Sequence, residues 1–279
     1  MATRSSSSSV SRPGAEPRLE LSIEERGEAG RIARLVVDYH GKLNILTRRL
    51  IDDFAEKVDR LAGDGELRAL VLTGAGERAF IGGADIRELA ALDGAGAAPF
   101  IDALHRACDA LRRLPVPVIA RVHGYALGAG LEVAAACDLR IASEHARFGM
   151  PEVKVGIPSV IEAALLPSLI GWGRTRRLLL TGEIIDAHTA ERWGLVEWCV
   201  PAAQLDAAVS ELLDAILACG AKAIRLQKTL VREWEELPMS QAIARGIASF
   251  ADAFASDEPQ RMMGDFLAKA AARRKARSR

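Results

Sequence analysis

Apolar and polar positions follow two rhythms along this chain. Leu19 to Glu24 and Ile32 to Asp38 alternate or cluster apolar residues on either side of a Gly27–Gly30 turn, which predicts a β-hairpin. Thr47 then stands before Leu50, Ile51, Phe54, Val58 and Leu61, a helical spacing with a capping hydroxyl in front and Gly63 as the stop. Ala69 to Leu72 reads as a short strand ending in a Gly74–Gly76 turn, and ERAFIGGADIREL as a loop passing into a short helix at Asp85. Phe100, Leu104, Cys108 and Leu111 mark a helix that stops before Pro115, and Val118 to Val122 is a buried strand bounded by proline and glycine. From Gly171 the helical rhythm takes over: Arg174 to Leu180, Ala187 to Trp193, Leu205 to Leu217, Ala223 to Trp234, Ser240 to Phe254 and Glu258 to Ala272. Strand, loop and helix recur in that order, so the expected class is α/β, helices covering a sheet, with an α-helical C-terminal region.

One stretch departs from both rhythms. Gly124, Gly128 and Gly130 follow the 118–122 strand closely, so the backbone there turns sharply or approaches something tightly. Leu131 to Cys137 is small and apolar enough for a buried helix, yet Glu132 sits inside it, and a second carboxylate, Glu152, follows Pro151. A carboxylate inside an apolar helix is costly unless something there uses it. Two of them beside a glycine-rich turn mark a candidate site.

Composition narrows the classes. Lys+Arg and Asp+Glu number 37 each, and this balance argues against a general nucleic-acid binder, although ARRKARSR closes the chain as a local basic run. With 49% hydrophobic residues and no apolar run long enough to span a bilayer, the expectation is a soluble globular protein with no membrane partner. Cysteines 108, 137, 199 and 219 stand singly, with Cys108 and Cys137 on apolar faces, which suits a reducing, cytoplasmic setting. Residues 1–17 hold a serine run and no apolar core of a signal peptide, and are expected to form a disordered tail.

Several familiar motifs fail. Val133 stands where a dinucleotide fingerprint needs its third glycine, GAGERAF lacks the Gly-Lys-Ser/Thr of a phosphate loop, and neither GxSxG nor HExxH occurs. Histidines 40, 105, 123, 145 and 188 are scattered, so no metal site is expected, and His123 reads as a satisfied loop histidine. Two glycine-rich turns remain, GGAD at 82–85 and GAG at 128–130, each leading into a helix whose first N–H groups are free. If the two turns converge, two backbone N–H groups can grip one carbonyl oxygen as an oxyanion hole.

AFIGGADI at 79–86, HGYALGAGLEVAAACDLRIA at 123–142, FGMPEVKVGIP at 148–158 and LTGEIIDAHTAERWGLVEWCVP at 180–201 resemble, in content and spacing, the signature blocks of the enoyl-CoA hydratase/isomerase, or crotonase, family. The resemblance implies a spiral core of repeated ββα units over 18–200 that binds acyl-CoA, and a helical oligomerisation region over 201–279. It implies an acyl-CoA thioester as substrate, no cofactor beyond the coenzyme A carried by that substrate, and a homotrimer or hexamer. The oxyanion donors fall on Ala84 and Ala129, and the family's two glutamates fall on Glu132 and Glu152. Both carboxylates together favour a hydratase: Glu132 orients and activates water at Cβ, and Glu152 supplies the proton at Cα. An isomerase, a hydrolase or a dehydratase on the same fold, or a non-catalytic homologue that uses its basic tail, are the alternatives.

By the same resemblance coenzyme A lies against Arg78, Ala79, Ile81, Asp85 and Ile86, beside Gly128 and Gly130. Phe266 and Lys269 of the last helix meet its adenine and phosphate, from the same or a neighbouring subunit. One segment departs from the family. After GIP a glycine-rich run is usual, whereas this chain continues SVIEAALLP, which places Val160, Ile161 and Glu162 in the acyl pocket. Glu162 is then a third pocket acid or, as we expect, a helix-surface residue near Ser159.

Overall fold

The computed structural model describes residues 16–277. The expected tail over 1–17 lies outside that range but for its last two residues. The hairpin forms as β1 (Arg18–Glu25) and β2 (Arg31–Asp38), antiparallel, with Leu19 opposite Val37. Helix α1 (Arg48–Leu61) starts where Thr47 Oγ1 accepts the Leu50 N–H at 3.3 Å, and it buries Leu50, Ile51, Phe54, Val58 and Leu61. Next come β3 (Leu67–Gly74), β4 (Ala79–Ile81), α2 (Ile86–Ala90), α3 (Gly94–Arg113), β5 (Val118–Val122), β6 (Tyr125–Leu127), α4 (Ala129–Ala136), β7 (Leu139–Ser143) and β8 (Arg147–Gly149). The chain continues through 3-10 turns at Glu152–Val155 and Ile161–Leu165, then α5 (Leu166–Ile170), α6 (Trp172–Thr181), β9 (Ile184–Asp186), α7 (Ala187–Trp193) and β10 (Trp198–Val200). Four helices finish it: α8 (Leu205–Leu217), α9 (Ala221–Trp234), α10 (Met239–Ala253) and α11 (Glu258–Arg277).

Two sheets result, one of six strands in the order β1-β2-β3-β5-β7-β10 and one of four in the order β4-β6-β8-β9. Consecutive strands β3/β4, β5/β6 and β7/β8 are shared out one to each sheet, and a helical return separates each pair from the next. The chain therefore spirals, laying one strand into each sheet per turn. Within the large sheet the two-residue period of a strand divides the side chains cleanly. Leu70, Leu72, Val118, Ala120 and Val122 face the main core with α1 and α3, while Ala69, Val71 and Ile119 face Leu205, Val209, Leu213 and Ile216 of α8.

The small sheet was not foreseen from the sequence. Its strands have only three residues each, too short to show an alternation, and β4 lies inside a stretch read as a loop. Yet that sheet sets the geometry. Strands β4, β6 and β8 are parallel neighbours, with Ala79 beside Tyr125 and Tyr125 beside Arg147. Their carboxyl ends lie along one edge, the usual place for a ligand crevice in a parallel sheet.

Candidate active site

The three carboxyl ends deliver three short segments to one cavity of about 270 Å³. After β4 comes Gly82-Gly83-Ala84, after β6 comes Gly128-Ala129, and after β8 comes Pro151-Glu152; all of these residues line the cavity, and Glu132 joins them from α4. Ile86, Leu89, Ile101 and Leu104, from α2 and α3, give the cavity an apolar lining together with Val155, Ile157 and Val160.

The two glycine turns do converge. A Cβ placed on Gly130 would overlap the carbonyl oxygen of Ile81, and one on Gly83 would sit 3.2 Å from that of Leu127. Only glycine lets the two backbones come so close. Gly128 has φ of 52°, and a Cβ there would overlap Glu152 Oε1, so its lack of a side chain makes room for the carboxylate.

Ala84 and Ala129 are held with their N–H groups unused. Leu46 forms a single bridge beside Ala84: its N–H donates to Gly83 O at 2.8 Å and its carbonyl accepts from Asp85 N at 2.9 Å. The Ala84 N–H itself has no acceptor among the described residues, and Ala84 lines the cavity. Ala129 is the first residue of α4, where no intrahelical acceptor exists, and its N–H has none elsewhere among the described residues. Two unsatisfied donors on one cavity wall can receive an oxyanion.

The carboxylates differ in environment. Glu132 is 5% exposed, and its Oε1 accepts the Ala163 N–H at 3.3 Å. Burial, reinforced by the negative charge of Glu152, pushes its pKa up to about 8, so it holds a proton at neutral pH. Glu152 opens the 3-10 turn after β8, is half-buried, and accepts a hydrogen bond from Ser159 Oγ at 2.7 Å through Oε2.

The other expected site residues are placed less uniformly. Ile86 and Val160 line the cavity, but Ile161 packs against the core and is not on its wall. Ala79 and Ile81 are buried, and Ala79 offers its carbonyl to Asn44 Nδ2 at 2.8 Å rather than to the cavity. Asp85 caps α2 by accepting the Arg87 N–H at 2.8 Å, and Arg78 is exposed at the start of β4. Gly130 supports the close approach of the turns without lining the cavity. Phe266, 72% exposed, and Lys269 project from α11, away from the cavity lining.

Glu162 corrects our expectation. It is not on a surface: it is 3% exposed, with Oε1 hydrogen-bonded to His105 Nδ1 at 2.9 Å. The turn that begins at Ile161 directs it inward against α3. Ser159, in the departing segment, bonds Glu152, and two residues with no sequence signal also shape the site: Leu46 beside Ala84, and buried Asn44, whose amide nitrogen also donates to Ala75 O at 2.9 Å. Asn44 stands in a polar loop with a left-handed φ of 54°, and nothing local distinguishes it from an ordinary turn asparagine.

Paired sheets wound as a spiral, with a cavity at the carboxyl ends of the small sheet, define the crotonase fold. An enoyl-CoA hydratase of Mycobacterium smegmatis matches it with a TM-score of 0.86 at 29% identity, over 91% of this chain and 97% of that one. DspI of Pseudomonas aeruginosa matches with a TM-score of 0.84 at 31% identity, over 93% and 98%. By sequence, this chain belongs to the enoyl-CoA hydratase/isomerase family, which it matches over residues 28–276. A short-chain-enoyl-CoA hydratase of Clostridium acetobutylicum is 32% identical over 90% of this chain and 97% of its own length. A crotonyl-CoA hydratase of Syntrophomonas wolfei is also 32% identical, over 86% and 92%.

Proposed function

We propose that this protein is an enoyl-CoA hydratase that adds water across the 2,3 double bond of an acyl-CoA thioester. The observation that carries the reading is the convergence, on one cavity, of two unused backbone N–H groups with two carboxylates. Hydration needs a proton taken from water and a proton given to Cα, with negative charge on the thioester oxygen in between. The N–H groups of Ala84 and Ala129 stabilise that charge most when it is fullest, which lowers the barrier rather than merely binding substrate.

The carboxylate pair supplies the proton traffic. One member must be charged to accept a proton from water and the other protonated to donate to Cα. Burial puts a proton on Glu132 in the free site. A bound water between the two carboxylates can pass that proton from one to the other, so Glu132 can act at Cβ and Glu152 at Cα. The apolar wall of Ile86, Leu89, Ile101 and Leu104 suits the acyl chain. Exposed Phe266 and Leu267 on α11, with Ile243, Ile247 and Phe250 on α10, support assembly of copies of this chain into a trimer or hexamer. Among the described residues the four cysteines are free, which suits the reducing cytoplasm.

Loss of enone absorbance from a short trans-2-enoyl-CoA, with the hydroxyacyl product identified by mass, tests the reading. Glu132→Gln and Glu152→Gln should each lower kcat by about 10²–10⁴-fold, with a much smaller effect on KM. Near-normal hydration by either variant would remove that residue from the mechanism. Double-bond migration without water uptake would identify an isomerase instead.

A further inference from the structure

Ser159 stands in the segment after Pro158 where the chain leaves the family pattern, and the proposed chemistry gives it no part. It is half-buried on the cavity wall, and its Oγ donates to Glu152 Oε2 at 2.7 Å. Among the described residues this is the single hydrogen bond to the Glu152 carboxylate, and Ser159 Oγ has no second partner. The other oxygen is confined by shape: Oε1 lies against Gly128, in the space that a Cβ there would fill. One oxygen is therefore tied to Ser159, while the other rests beside the turn that presents the Ala129 N–H.

The hydroxyl is not what folds this part of the chain. The 3-10 turn at Glu152–Val155 ends at Gly156, whose φ of 82° suits glycine. Ile157 then donates its N–H to the Glu152 carbonyl oxygen at 3.2 Å, which closes the loop through the backbone. Pro158 follows, and residue 159 returns within reach of the Glu152 side chain. The Ser159 hydroxyl adds nothing to that closure; the carboxylate is all it reaches.

We propose that Ser159 is a positioning residue, holding Glu152 Oε2 so that Oε1 is the oxygen that delivers the proton to Cα. The inference rests on the hydratase reading. The Ala129 donor belongs to the peptide unit that begins at Gly128. A thioester oxygen bound there brings Cα, two bonds away, to the side where Oε1 lies. In the transfer the Oε1–H bond breaks and its electron pair stays on Glu152, while the enolate's pair forms the Cα–H bond. Glu132 takes the proton lost by the water that adds at Cβ, so the protons balance. Oε2 accepts from Ser159 before and after the transfer, so the hydroxyl need not reorient during the reaction. A carboxylate without this tether samples other rotamers, and the misaligned ones transfer no proton.

The test compares Ser159→Ala with Ser159→Thr, which keeps the hydroxyl, on a short trans-2-enoyl-CoA. Ser159→Ala should lower kcat about 10-fold, the order of one lost hydrogen bond to a charged group, and leave KM within about 2-fold. Ser159→Thr should keep kcat within about 3-fold of wild type. Ser159→Cys, close in size but a weaker donor, should fall between them and serves if Ser159→Ala does not fold. In a Glu152→Gln background, Ser159→Ala should cost less than about 2-fold more, because it acts through that carboxylate. An undiminished kcat in Ser159→Ala, an equal loss in Ser159→Ala and Ser159→Thr, or the full loss repeated in the Glu152→Gln background overturns the inference. A change in KM with kcat intact also overturns it, since Ser159 would then be a substrate contact. Normal hydration by Glu152→Gln would overturn the assigned role of that carboxylate in the hydratase reading. A strongly impaired Glu152→Gln beside an undiminished Ser159→Ala overturns this inference alone.

Discussion

A single peptide N–H decides which residue at each glycine turn matters to the chemistry and which is replaceable. Under the proposed function Ala129 contributes only its backbone donor, so Ala129→Gly should leave turnover within about 3-fold of wild type, while Gly128→Ala should abolish it. The second change forces a side chain onto a φ of 52° and against Glu152 Oε1. Parallel assays of the two variants check the pair of outcomes. Glu132 carries a stability consequence as well. Its folded pKa, about 8, lies above the ordinary carboxylate value near 4.3, so the fold binds an extra proton between those values. Stability from this group is fully present below about pH 4.3 and is lost as pH rises through about 8. Glu132→Gln removes the need to bury a charge, so its melting temperature should exceed that of wild type by several degrees at pH 9 and by little at pH 5. Equal melting temperatures at both pH values would show that Glu132 is not buried as described. This residue was legible in the sequence because a charge stands out in an apolar helix; Glu162 was not, because the partner that explains it lies 57 residues away on α3.

Elements were legible in proportion to their length. Helices α1 and α8 announce themselves through an apolar stripe, and the residues of that stripe are the ones the fold buries. Strands β4, β6 and β8 have three residues and no visible alternation; their pairing depends on neighbours from other turns of the spiral, a tertiary fact. The loop at 43–46 escaped notice for the same reason. It grips the segment after β4 through three backbone hydrogen bonds that flank Ala84, while the Asn44 amide holds Ala75 and Ala79 ahead of it. Asn44→Ala leaves the buried carbonyl of Ala79 and the half-buried one of Ala75 without their shared donor and should destabilise the fold by about 1–3 kcal/mol. Because Ala84 shifts with the loop, kcat should drop further than the loss of folded protein accounts for. Denaturant titration beside turnover per folded molecule separates the two effects.

For the whole molecule, the proposed function draws its reacting groups and its wall for the acyl chain from different places. Strand ends supply the N–H donors and place Glu152, while the helical returns supply the apolar wall. Val160, on the return after β8, lines the cavity; under the proposed function an acyl chain there meets it, and each buried methylene that fits contributes about 0.8 kcal/mol. Wild type should therefore favour short over long straight enoyl-CoA esters, and Val160→Gly should shift the optimum of kcat/KM toward longer ones. Measuring C4, C6, C10 and C16 esters on both proteins checks this, and rising efficiency toward C16 in wild type would show that the tail leaves by another route. The spiral has an evolutionary corollary. Each turn ends in a fixed donor or acid at the sheet edge and then leaves through a return whose course is free, so the reaction and its clientele can be inherited separately. Exchanging residues 157–165 for the corresponding segment of a relative should retune which esters are accepted while the strand ends keep the catalyst, and a lineage can diversify its substrates by editing one loop at a time.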